Sequence, residues 1–228
     1  MRRIAYDYSG FSLKRLREPR FRHILLLAGW IGYFSLYFIT ENLIPAEKCH
    51  VIHCALDDII PFREGFVVFY VAWYLLVAGS LAFTLFYNVP AFRKIQIYIM
   101  ITQAIAMLCY IVYPSIQNLR PAVFPRKNVF TWVLGIIYAF DTPTGVFPSL
   151  HVAYSIGILS AALKDRELGI GWKTALAVFV LMVCAAVCFV KQHSALDVLA
   201  ALPVCLLAEA LVFGKDYWLP RFRSGSGS

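Results

Sequence analysis

The chain has 228 residues, of which 61% are hydrophobic and 15% charged, with a formal net charge of +8. An ordinary soluble domain is nearer half apolar and a quarter charged, so that class is excluded. The apolar residues come in long blocks without strict alternation, which points to membrane helices rather than a barrel.

In chain order, a basic segment covers residues 1–23, and a single membrane domain is expected over 24–213. Within that domain six apolar blocks stand near 24–40, 66–88, 95–113, 149–163, 174–190 and 194–213. Each approaches the length that about 30 Å of hydrocarbon requires, the fourth being the shortest and the one open to reading as a buried helix that does not span. The expected fold is an all-α bundle of six transmembrane helices. Residues 214–228 read as a tail, and the ending SGSGS as a linker. The first block, behind a basic tail and ahead of another span, reads as an anchor rather than a cleavable signal.

Orientation follows from the basic residues. With six spans, one side carries Arg2, Arg3, Lys14, Arg15, Arg17, Arg20, Arg22, Arg93, Lys94, Lys164, Arg166, Lys173, Lys215, Arg221 and Arg223. The other carries Lys48, Arg63, Arg120, Arg126, Lys127 and Lys191. The split of 15 to 6 places both termini in the cytoplasm of a multi-pass plasma-membrane protein, the inner membrane if the source is a bacterium. The positive charge is thus mostly a topology signal, with contact to anionic lipid heads as a second use. Nucleic-acid binding is not expected, since no basic region forms a folded soluble module.

Two outer segments are long. Residues 41–65 are acidic and contain CHVIHC, with Cys49 and Cys54. A disulfide there is favoured over zinc, because four ligands within six residues rarely wrap one ion. Residues 114–148 are rich in proline and contain VFTWVLGIIYAFD, too short to span, which reads as an interfacial helix with Trp132 and Tyr138 at the headgroup level. The Cys residues inside the blocks read as small apolar fillers. Gln103 reads as a helix-to-helix hydrogen bond and Glu209 as interfacial.

The stretch FVKQHSALDVL, residues 189–199, carries the costly groups. His193 and Asp197 are four apart and share a helix face. The carboxylate can fix one imidazole tautomer and leave the other nitrogen free. FPSLHVAYS opens the fourth block, with Pro148, Ser149 and His151. Proline and serine mark a helix start, whose free amides can hold an anion. By parity, helices four and six both run inward from the outer face. His151, His193 and Asp197 then share one side with Arg120 and Lys191. A lone histidine at a helix end is commonly just an interfacial polar group. A carboxylate one turn inside a span costs several kcal/mol unpaired and points to function.

PSLH together with KQHSALD resembles the second and third signature motifs of the type 2 phosphatidic acid phosphatase superfamily, P-S-G-H and S-R-x5-H-x3-D. NLRP supplies the end of its first motif, K-x6-R-P, as Arg120 and Pro121. The likeness covers about residues 113–201, and six spans is also that family's core architecture. The resemblance implies that His193 attacks phosphorus and becomes phosphohistidine, that Asp197 orients it, and that His151 protonates the leaving oxygen. It implies that Arg120 and the amides around Ser149 hold phosphoryl oxygens, and that no metal or other cofactor takes part.

The departures are Tyr113 for the first-motif lysine, Ala186 and Val187 for the third-motif serine and arginine, and Leu150 for glycine. Lys191 is the expected substitute for one missing cation, though without the arginine fork. A thinner cradle suits a singly charged diester. The likeness also extends to the branch of inositol phosphorylceramide synthases and related lipid phosphotransferases. The expected substrate is a lipid phosphate at the outer membrane face, with hydrolysis or transfer to an alcohol both open. A metal hydrolase, a serine hydrolase on Ser149 and a non-catalytic lipid-phosphate binder or transporter are the competing readings.

Overall fold

A computed structural model describes residues 5–221. Arg2, Arg3, Arg223 and the SGSGS ending lie outside those described residues. Eight α-helices follow one another: α1 (Ala28–Leu43), α2 (Ala55–Ile59), α3 (Val67–Tyr87), α4 (Val89–Val112), α5 (Val129–Phe140), α6 (Leu150–Lys164), α7 (Ile170–Phe189) and α8 (Ala195–Phe213). Two short parallel strands, β1 (His50–Val51) and β2 (Ser115–Ile116), tie the segments 41–65 and 114–148 together.

Among the described residues, five helical stretches are long and apolar enough to cross a membrane: Arg22–Leu43, Glu64–Tyr87, Val89–Val112, Ile170–Phe189 and Ala195–Arg221. The fourth expected block is the short helix α6, whose 15 residues rise about 22 Å. The expected six-span count is therefore five by length, with α6 apart. Large apolar side chains lie outside the bundle, including Leu75, Leu108, Leu181, Leu206 and Leu211. An apolar exterior of this extent suits hydrocarbon, not water.

Several boundaries differ from the expected ones. α4 starts six residues before the expected block because Asn88 caps it, its side chain accepting from the Ala91 amide at 3.2 Å. Pro90 sits in its first turn, and Arg93 and Lys94 are simply part of the helix. α8 passes through a π turn, Gly214–Trp218, and helix continues to residue 221, where a tail was expected from 214.

The core is built around α4 and α6. α4 buries Phe92, Ile95, Tyr98, Ile99, Ala106 and Tyr110, spaced as one helical face. α6 packs against α3, α4, α7 and α8. At Gly157 a Cβ would stand 2.4 Å from the Tyr98 ring, so glycine permits the closest α4–α6 approach. The same tyrosine donates its hydroxyl to the Cys205 carbonyl on α8 at 3.1 Å.

Contacts define two ends of the bundle. At one end, the Tyr6 amide and Tyr8 hydroxyl donate to the carbonyls of Phe86 and Leu85, and Lys164 pairs with Glu209 at 2.6 Å. At the other end lie the starts of α6 and α8, the end of α7 and the strand pair. Gln103 is buried on α4 and faces Tyr154 of α6, the helix-to-helix neighbourhood expected of it.

Cys49 and Cys54 are free thiols, not a disulfide. β2 holds the intervening His50 and Val51 extended, which opposes ring closure. His50 stacks on Tyr113 with centroids 4.2 Å apart, while His53 pairs with Asp58 at 2.8 Å. The two imidazoles are thus engaged separately.

Candidate active site

The turn between α7 and α8 carries the first group. The amides of Gln192 and His193 both donate to the Val187 carbonyl at 3.0 Å. Lys191 adopts φ 56°, which reverses the chain sharply. Ser194 then caps α8, its hydroxyl accepting from the Leu196 amide at 3.1 Å. This turn delivers His193 to the head of α8 with only 7% of its surface exposed.

His193 Nδ1 donates to Asp197 Oδ2 at 3.0 Å. The same oxygen accepts the Ser194 amide at 2.9 Å. That pair fixes the ring, as the four-residue spacing predicted, but Nε2 is not free as expected. Nε2 lies 3.3 Å from Nδ1 of His151 on α6. Forty-two positions of sequence separate two rings that now touch. His151 is held between the Trp73 and Tyr70 rings, with centroids at 4.2 and 4.7 Å. The Trp73 indole donates to its carbonyl at 3.1 Å, binding α3 to α6 at this level.

The two histidines stand at the head of a cavity of about 470 Å³. One wall is α1, through Trp30, Tyr33, Phe34 and Tyr37; the other is α3, through Trp73, Tyr74, Val77, Ala78 and Leu81. Asp141, Gly145 and Val146 roof it beside Gln192.

The expected phosphate-holding residues are placed otherwise. Lys191 does not line the cavity. Its Nζ donates to the carbonyls of Asp57 at 2.8 Å and Ile60 at 2.6 Å. The left-handed turn at Lys191 points its chain backwards into the acidic segment 41–65, so it braces that loop and does not take the expected place in a phosphate cradle. Arg120 is also absent from the cavity lining. Its Nη1 and Nη2 donate to the carbonyls of Tyr138 at 3.3 Å and Asp141 at 2.8 Å, and its Cζ lies 4.5 Å over the Tyr138 ring. A cation at the last carbonyls of α5 satisfies that helix end. Burial pushes the guanidinium pKa down from its ordinary value. Ser149 precedes α6 as expected, yet its side chain makes no capping bond and its Oγ is buried without a partner among the described residues. Its amide, expected to be free for an anion, donates to the Asp197 carbonyl at 3.1 Å.

Three residues were missed in the sequence. Asp141 Oδ2 accepts from the Tyr70 hydroxyl at 2.8 Å and the Gln192 amide at 2.9 Å, directly beside His193. Gln192 was visible as a polar residue in an apolar run; Asp141 gave no signal beyond closing a short helix. Asp57 accepts the Ser194 hydroxyl at 2.5 Å and the Ala195 amide at 2.8 Å. Nothing distinguished it from its acidic neighbours.

Fold and site together define a helical, multi-pass type of chain with a buried histidine pair oriented by one carboxylate. No protein-family model matches the chain, and neither a curated protein nor a solved structure matches it.

Proposed function

We propose that the protein is an integral-membrane lipid phosphatase that cleaves a lipid phosphate ester or diphosphate at the outer membrane face through a phosphohistidine on His193. The observation that carries this reading is the line Asp197–His193–His151, with contacts of 3.0 and 3.3 Å, at the head of an aromatic cavity. A nucleophile oriented by a third group is the general arrangement of covalent catalysis. Nε2 of His193 forms the bond to phosphorus as the bond to the leaving oxygen breaks. Protonated His151 gives that oxygen its proton. Water then attacks phosphorus, loses a proton to His151 and releases Nε2. Asp197 keeps Nδ1–H in place throughout and offsets the charge on the ring.

The cleft between α1 and α3 suits the lipid tail. α1 packs mostly on α4, and the cavity parts it from α3. Apolar and aromatic walls there accept a chain arriving sideways from the bilayer.

The membrane arrangement belongs to the same proposal. α6 is a sixth crossing: its start meets His193 at the head of α8, and its end meets Glu209 through Lys164. It therefore runs alongside most of α8. Six crossings set the site end outside and the basic termini in the cytoplasm of the plasma membrane. α5 lies in the interface, exposing Val129, Trp132, Ile136 and Phe140 as one apolar stripe.

A second reading, transfer of the phospho-headgroup to an alcohol, shares the first half-reaction. The absence of lysine and arginine from the described cavity lining favours it, because a site without permanently charged side-chain cations suits a singly charged diester. Purified protein should consume a labelled lipid phosphate, and His193→Ala should abolish this. Turnover that survives the change overturns the nucleophile assignment. Headgroup release that is insensitive to added alcohol removes the transfer reading.

A further inference from the structure

The cavity contains a carboxylate that the phosphohistidine chemistry does not use. Asp141 projects from the end of α5 and lines the cavity roof beside Gln192 and His193. Its Oδ2 is held by the Tyr70 hydroxyl at 2.8 Å and the Gln192 amide at 2.9 Å. Its Oδ1 accepts no hydrogen bond from any described residue. The Gln192 Oε1 is buried and unpartnered among the described residues, a second acceptor at the same spot. The nearby guanidinium of Arg120 hydrogen-bonds the Asp141 carbonyl and attracts its carboxylate only through space. Among the described lining residues the other readily ionised groups are His151 and His193, and none is a lysine or arginine.

Two consequences follow from this inventory. A monoester brings close to two negative charges, and a diphosphate more, toward a fixed carboxylate with no lysine or arginine among the described lining residues to offset them. A diester brings one. Conversely, the buried Gln192 Oε1 needs a donor, since a buried acceptor left unpaired is costly, and the partly exposed Asp141 Oδ1 beside it is free to accept another. A headgroup that carries its own N–H or O–H groups supplies them at the right place, one residue from the nucleophile. Tyr37 and Tyr74 line the same cavity, and aromatic rings there favour a cationic headgroup.

We propose that Asp141, with Gln192, is the headgroup-selecting element, and that it restricts the site to lipid phosphodiesters whose headgroup bears ammonium or hydroxyl donors. This rests on the phosphohistidine reading above and names its substrate class. Asp141 touches the headgroup and takes no part in bond making.

The test uses the purified full chain in mixed micelles with phosphatidate, phosphatidylethanolamine or phosphatidylglycerol, each alone. Wild-type protein should turn over at least one of the two diesters about tenfold or more faster than phosphatidate. The ethanolamine and glycerol arms distinguish an ammonium from hydroxyls as the donor source. Asp141→Asn is isosteric and keeps bonds to Tyr70 and Gln192, so it should fold. It should shrink the diester-to-phosphatidate ratio by about tenfold or more. Asp141→Glu, which keeps the charge, should retain the wild-type preference. If wild type prefers phosphatidate, or if Asp141→Asn leaves the ratio unchanged while His193→Ala still abolishes turnover, this inference is overturned and the phosphohistidine reading stands. If no lipid shows His193-dependent turnover, both fall together.

Discussion

The hydroxyl of Ser194 donates to Asp57 Oδ2 across 2.5 Å, joining residues 137 positions apart. This bond and its neighbours fasten the turn that carries His193 to the outer segment. Asp57 Oδ1 accepts the Ala195 amide, and Lys191 reaches back to the Asp57 carbonyl. A carboxylate at the start of α8 also complements the exposed amides of that helix.

Asp57 is therefore a positioning residue for His193. Asp57→Ala leaves buried donors unpaired, at a cost on the order of 1–3 kcal/mol each. It should lower turnover by roughly tenfold to a hundredfold through misplacement of the imidazole. Asp57→Glu should restore part of the rate. Stability has a pH signature. Burial pushes the Asp57 carboxyl up, but hydrogen bonds from Ser194, Ala195 and Cys54 prevail and hold it below its ordinary value. A folded pKa below an unfolded one of about 3.9 means that the stabilisation is fully present above that pH. It is lost as pH falls through the folded value. Thermal unfolding in detergent should show a gap between wild type and Asp57→Asn that is constant above about pH 4 and closes below it.

Asp197 acts only through His193 in the proposed chemistry. Asp197→Asn should reduce turnover by roughly 10²–10⁴-fold with little change in lipid KM. Asp197→Glu, which keeps the charge, should restore part of the rate. Turnover by Asp197→Asn equal to wild type would remove Asp197 from the orienting role.

Lys191 is buried and gives its ammonium to two backbone carbonyls. Lys191→Met should destabilise the protein by about 1–3 kcal/mol and leave the lipid KM within about twofold. A raised KM with unchanged unfolding would instead return Lys191 to the phosphate cradle.

Gly157 allows α4 and α6 to meet over Tyr98. Gly157→Ala would put a methyl 2.4 Å from a fully buried ring. Overpacking of this kind should cost about 1–3 kcal/mol and loosen the Tyr98 bond to α8. An unfolding curve that matches wild type would show that the interface yields freely.

Much of this protein can be read along the chain. Long apolar blocks dictate membrane helices, because an unpaired backbone cannot cross hydrocarbon. The spacing of His193 and Asp197 dictates their contact, since i and i+4 share a face whatever surrounds them. Helix direction alone carries His151 to the same end. These are local or topological properties, and they need no knowledge of packing. The direction of long side chains is of another kind. Lys191 and Arg120 stand in loops at the site end of the bundle, where their charge suggested an anion, and the loop backbone turns both onto carbonyls instead. Asp57 and Asp141 carry no distinguishing pattern and gain their places through partners 137 and 51 positions away. The short length of α6 is tolerated because four neighbouring helices bury it. Side-chain aim and burial depend on contacts between distant segments, which only the folded chain brings together.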